Sequence, residues 1–137
     1  MVTFTTHRFT AIAAALALGW LLTGAAQAVT PQEQLAEYSA AAGGKGEPAK
    51  GQAFFTATHG REWSCASCHG ALPTAEGKHA ATGKAIGPLA PAFNPNRFVD
   101  SAKTEKWFRR NCNDVLGREC RPSEKADVLA WLLSIQR

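Results

Sequence analysis

Residues 65–69 read Cys65-Ala66-Ser67-Cys68-His69, two cysteines three positions apart with a histidine directly after the second. This is the attachment pattern of a c-type haem. Each residue type has its own chemistry to perform, since the thiols add across the two porphyrin vinyl groups and the adjacent imidazole binds iron as proximal ligand. One covalent haem c is therefore expected. A thioredoxin-like pair would need a strand–helix–strand setting, and no buried strand pattern surrounds residues 60–75. A zinc site shared with Cys112 and Cys120 is disfavoured, because the seven residues between those two cysteines are too many for a zinc knuckle.

Upstream, residues 1–8 contain Arg8 and no acid, residues 9–22 are apolar, and Ala26-Gln27-Ala28 offers an A-x-A cleavage site. Together they predict a secretory signal over residues 1–28 and a periplasmic protein. The 14 apolar residues fall short of the roughly 20 that a membrane-spanning helix needs. Residues 29–137 then form a single haem domain, long enough for one core. Arg8 is the only charged residue in 1–28, so the remainder has fourteen bases and eleven acids, a net charge of +3. No basic run interleaved with aromatics occurs, which argues against nucleic-acid binding. A mildly basic face suited to an acidic redox partner is compatible with this balance.

The domain reads as all-α. Thr30-Pro31-Gln32-Glu33 has the form of a helix start, with Thr30 as N-cap and Glu33 in capping-box position. That helix should run to Ala42, before Gly43-Gly44. A second is expected over 48–58, bringing Phe54, Phe55 and the small Gly51 to a helix crossing. A third is expected over 101–113 behind Asp100 as N-cap, with Trp107, Phe108 and Asn111 on one face. The last is expected over 122–136, with Val128, Leu129, Leu132, Leu133 and Ile135 at helical spacing. Trp131 either caps the crossing with the second helix or stays partly exposed.

Residues 70–100 are rich in Gly, Pro and Asn and follow neither period, so they predict a long loop. A loop of this length implies something to enclose, and haem is such an object. Ile86, Leu89 and Phe93 are candidates for its apolar edge. Lys84 and Arg97 fit either propionate partners or ordinary solvated charges.

The sixth iron ligand is the open question. Met1 is the only methionine and lies in the expected signal, so the His/Met pair of an ordinary electron carrier is excluded. His59, His79, a lysine, water and a neutral amide remain. Cys112 and Cys120, the cysteines left after haem attachment, should form a disulfide in an oxidising compartment. Its closed loop would contribute roughly 2.6 kcal/mol in the chain-entropy account. It would also fix the residue before it, Asn111.

Four segments together are similar to the SHP-type (sphaeroides haem protein) monohaem cytochromes c, related to cytochrome c″. They are Cys65–His69, Thr82–Lys84 with Pro88–Ala92, Asn94–Phe98, and Lys106–Cys112 with Gly117–Cys120. The similarity covers nearly all of residues 30–137. It implies a class I cytochrome c-like fold with an extra N-terminal helix, one covalent haem and one disulfide. It also implies that Asn111 is the distal ligand, where cytochrome c″ proteins carry His. The partners implied are a dihaem cytochrome c, a membrane b-type cytochrome, and diatomic gases such as oxygen, nitric oxide and carbon monoxide.

Chemistry favours the same outcome. An amide oxygen is a hard neutral donor, adequate for ferric iron and poorly matched to softer ferrous iron. Reduction should release it and open a site for a gas. A plain electron carrier and a nitric oxide- or oxygen-detoxifying enzyme are the competing functions, the last favoured by a distal hydrogen-bond donor such as Asn111 once displaced, Arg109 or Arg110.

Overall fold

A computed structural model describes residues 28–137; the expected signal segment up to residue 27 lies outside the described residues. Five helices and one small hairpin follow in the order α1 (Pro31–Ala42), α2 (Pro48–Thr56), α3 (Cys65–His69), β1 (Gly77–Lys78), β2 (Ala85–Ile86), α4 (Ser101–Leu116) and α5 (Pro122–Ser134). The fold is helical as expected, apart from the two-residue strands. These pair antiparallel, Gly77 opposite Ile86 and Lys78 opposite Ala85.

Local chemistry accounts for the helix ends. Thr30 Oγ1 accepts from the Glu33 amide at 3.1 Å while Glu33 Oε2 accepts from the Thr30 amide at 2.7 Å, completing the box before α1. Gly43 closes α1 in the left-handed conformation, at φ 68°. Asp100 caps α4 through a 2.8 Å bond from the Lys103 amide. This helix runs three residues past the expected end, to Leu116, because Gly117 at φ 73° is where the chain adopts the left-handed turn. α2 stops at Thr56, two residues early, with the Thr56 hydroxyl bonded back to the Gln52 carbonyl at 3.0 Å.

The core forms where α1 and α2 lie along α5. At the α2 crossing, Phe55, Val128, Trp131 and Leu132 are buried together, with Phe54, Cys65, Leu89 and Phe108 packed around them. Trp131 is 5% exposed and its ring packs at a tilt against Phe55, centroids 4.9 Å apart, so it belongs to the crossing. At the α1 crossing, Tyr38, Ala126 and Leu129 form a second buried group. Loop 70–100 is tied to itself, with the Leu89 and Ala90 amides both donating to the Pro73 carbonyl at 3.1 Å, and meets the core through Leu89 and Phe98. No helix among the described residues is long and apolar enough to cross a membrane.

Candidate haem site

The cysteine–histidine motif occupies a single helical turn, and that placement follows from the residues just before it. Ser64 is the N-cap: its Oγ accepts from the Ser67 amide at 3.2 Å, and Ser67 Oγ accepts from the Ser64 amide at 3.0 Å. On such a turn Cys65, Cys68 and His69 stand at i, i+3 and i+4, which gathers both thiols and the imidazole on one side. Cys65 and Cys68 are free and half-buried. Cys65 packs on the Phe55 core, and Cys68 Sγ accepts from the Ala80 amide at 3.2 Å.

His69 stands 6.1 Å from the Phe55 ring, centroid to centroid. Burial, with the positive charge of Arg97 adding to it, pushes its imidazole down to about 4. It is therefore neutral at pH 7, the form that ligates a metal. Burial likewise pushes the Cys65 thiol up to about 11. Gly77 of β1 lies against the Cys68 carbonyl and the His69 backbone, leaving no room for a β-carbon. The hairpin thus braces the motif, a role the sequence reading missed although a glycine in this loop was its one visible signal.

Two thiols outside any disulfide and a neutral imidazole on one side of a braced turn form the donor set that covalent haem c requires. The alternative readings lack their settings. The hairpin is the only sheet among the described residues, so no strand–helix–strand unit frames a thioredoxin-type pair. Cys112 and Cys120 are joined to each other, with Cα atoms 5.5 Å apart, which removes them from any zinc site.

Of the loop residues, Ile86, Leu89 and Phe93 are half-buried, while Lys84 is exposed. Arg97 is not an ordinary solvated charge. Its Nε donates to the Pro88 carbonyl at 2.9 Å and its Nη2 to the Gly87 carbonyl at 2.7 Å, which fixes the guanidinium close to His69.

The candidate sixth ligands separate by their local commitments. His59 Nε2 is 2.8 Å from the Phe54 carbonyl and its ring stacks on Phe54 at 4.4 Å, tying it to the end of α2. His79 lies in the hairpin turn, where its Nδ1 accepts from the Thr82 amide at 3.3 Å. Asn111 is half-buried in the middle of α4, and Gly117, five residues beyond its neighbour Cys112, closes that helix. Asn111 is therefore not an end cap. Trp107, one turn before it, is 43% exposed with the Arg110 guanidinium 5.7 Å from its ring. Arg109 points outward to Glu119 at 3.6 Å, so neither arginine stands as a distal donor.

The family described as "Domain of unknown function (DUF1924)" matches residues 41–132. The chain is 50% identical over 123 residues to cytochrome c-type protein SHP of Cereibacter sphaeroides, covering 85% of this chain and 95% of the relative. It is 50% identical over 80 residues to cytochrome c″ of Methylophilus methylotrophus, covering 58% of this chain and 56% of that protein. Among solved structures, oxidised SHP, described as an oxygen-binding cytochrome c, superposes with a TM-score of 0.74 at 48% identity. The match covers 79% of this chain and 99% of that one. Oxidised cytochrome c″ from Methylophilus methylotrophus superposes with a TM-score of 0.69 at 38% identity, over 78% of this chain and 95% of that one. The chain belongs to the SHP family of c-type cytochromes, which carry covalently bound haem c.

Proposed function

We propose that the protein is a periplasmic monohaem cytochrome that accepts single electrons and, once reduced, binds a diatomic gas. Cys65 and Cys68 would attach one haem, and His69 and, in the oxidised form, Asn111 would hold its iron. The observation that carries this reading is the position of Asn111, half-buried within α4 directly before a disulfide, while His59 Nε2 and His79 Nδ1 are each engaged in a local hydrogen bond. No methionine occurs in residues 28–137 to compete with it. The bound haem would supply a one-electron couple and an iron coordination position.

The chain's own residues do the rest. His69, kept neutral by burial, would hold the iron. Asn111 would offer a hard amide oxygen, a donor that suits ferric iron and is poorly matched to ferrous iron. In the reduced protein that position would be free for oxygen, nitric oxide or carbon monoxide. The relative described as an oxygen-binding cytochrome c supports the gas reading. A dihaem cytochrome c beside a membrane b-type cytochrome is the electron donor we propose.

Substitution at position 111 tests the assignment. Asn111→His should give bis-imidazole ligation that stays low-spin after reduction, with gas binding slowed or lost. Asn111→Ala should leave water or an open position in the ferric protein and retain gas binding. Identical ferric spectra for wild type and Asn111→Ala, with His79→Ala abolishing the low-spin signature, would assign the ligand to His79.

A further inference from the structure

α4 carries the proposed distal ligand, yet its backbone approaches no other helix as closely as α1 and α2 approach α5. Besides the packing of Phe108 against the core, it is fastened by side chains at two places. In its C-terminal half the Cys112–Cys120 disulfide joins it to a loop only eight residues away. In its N-terminal half it is tied to two other helices at once. The Tyr38 hydroxyl of α1 donates to Glu105 Oε1 at 2.7 Å, and Lys125 Nζ of α5 donates to Glu105 Oε2 at 2.7 Å. Lys125 Nζ also lies 5.5 Å from the Tyr38 ring and 5.8 Å from the Phe108 ring, and those rings meet edge-on at 5.7 Å.

Glu105 precedes Asn111 by six residues, so the two side chains point about 120° apart around the helix and sit about 9 Å apart along it. A clamp on Glu105 therefore sets the rotation at which Asn111 is presented. A turn of the helix by about 20° would sweep an atom ~5 Å from its axis through about 2 Å, comparable to a whole metal–oxygen bond. The disulfide alone does not prevent that turn, because its far end is in the same local segment.

We propose that Tyr38, Glu105 and Lys125 are positioning residues that hold α4 at the rotation where Asn111 reaches the iron, and so set how firmly the oxidised site is closed. This rests on Asn111 being the distal ligand. Weakening the cluster opens the ferric site without altering the reduced one, where Asn111 is already released.

Azide binding to the ferric holoprotein reads the closure, since azide must displace Asn111. Glu105→Ala should raise azide affinity about tenfold, in the range shown by residues coupled through one hydrogen-bond network, and increase the high-spin fraction. Glu105→Gln, which can still accept from Tyr38, should lie between Glu105→Ala and wild type. Tyr38→Phe keeps the ring packing and should give about a threefold rise; it and Glu105→Gln carry the test if Glu105→Ala does not fold. Carbon monoxide association with the reduced forms should stay within about twofold. Asp127→Ala, which removes the 2.7 Å bond from the Glu47 amide and leaves α4 untouched, should lower thermal stability without moving azide affinity.

Wild-type azide affinity in both Glu105→Gln and Tyr38→Phe would overturn the proposal, as would an equal rise in Asp127→Ala. Asn111→Ala in the same series separates the two claims. If it leaves the ferric spectrum unchanged, the ligand assignment falls and the positioning role with it. If it shifts the spectrum while the cluster variants do not, only the positioning role falls.

Discussion

Gly51 of α2 lies directly against the backbone carbonyl of Asp127 on α5, closer than any β-carbon could. That approach lets Phe55, one turn on, reach Trp131 and places the following haem motif against the core. Gly51→Ala should push the helices apart and cost about 1–3 kcal/mol, the usual range for overpacking. Thermal unfolding of the holoprotein measures it. An unchanged midpoint would mean that the crossing relaxes freely.

Replacing Cys112 and Cys120 together by serine should cost roughly 2–4 kcal/mol of stability. Because Cys112 adjoins Asn111, the same variant should show a larger ferric high-spin fraction, with gas binding in the reduced state preserved. Loss of stability with a wild-type ferric spectrum would make the disulfide a staple only.

Cys65→Ala and Cys68→Ala should each reduce covalent haem retention, read by haem staining after denaturing electrophoresis. His69→Ala should disturb both ligation and maturation. Full haem content with an unchanged spectrum in His69→Ala would show that the motif has been misassigned.

Glu124 predicts an acid-sensitive step. Burial works to raise its carboxyl, but hydrogen bonds from Arg118 and from the Arg121 amide outweigh this and bring it to about 2, below its ordinary 4.5. A carboxyl lowered on folding contributes stability that is present above about pH 4.5 and lost as the pH falls toward 2. Glu124→Gln should therefore be less stable than wild type at pH 7, with the difference shrinking across that window. Parallel stability profiles from pH 7 to pH 2 would contradict it.

Much of the helical frame was legible because its signals are local. Thr30 and Glu33 lie three residues apart and bond to each other, and Asp100 bonds to the amide three residues on. The haem motif is contiguous, and its donors fall on one side of a helical turn by spacing alone. The hairpin was not legible, because strands of two residues are shorter than any periodicity, and Gly77 is held by a tertiary contact with Cys68. Nor was the cluster around Glu105, whose partners lie 67 and 20 residues away in sequence. The buried Gln34 is similar: in α1 it reads as a surface residue, yet its Nε2 donates to the Phe98 carbonyl at 2.7 Å. Arg97 read equally well as a propionate partner or a surface charge until the Gly87 and Pro88 carbonyls were seen to hold it.

In the proposed cycle, reduction removes the distal ligand and opens the iron. The most direct measurement is the optical spectrum of the dithionite-reduced holoprotein before and after carbon monoxide is added. A five-coordinate high-spin spectrum that shifts at once on addition is the result predicted, since no methionine is present in residues 28–137 and an amide oxygen bonds ferrous iron poorly. Sharp low-spin bands that carbon monoxide leaves unchanged would contradict it.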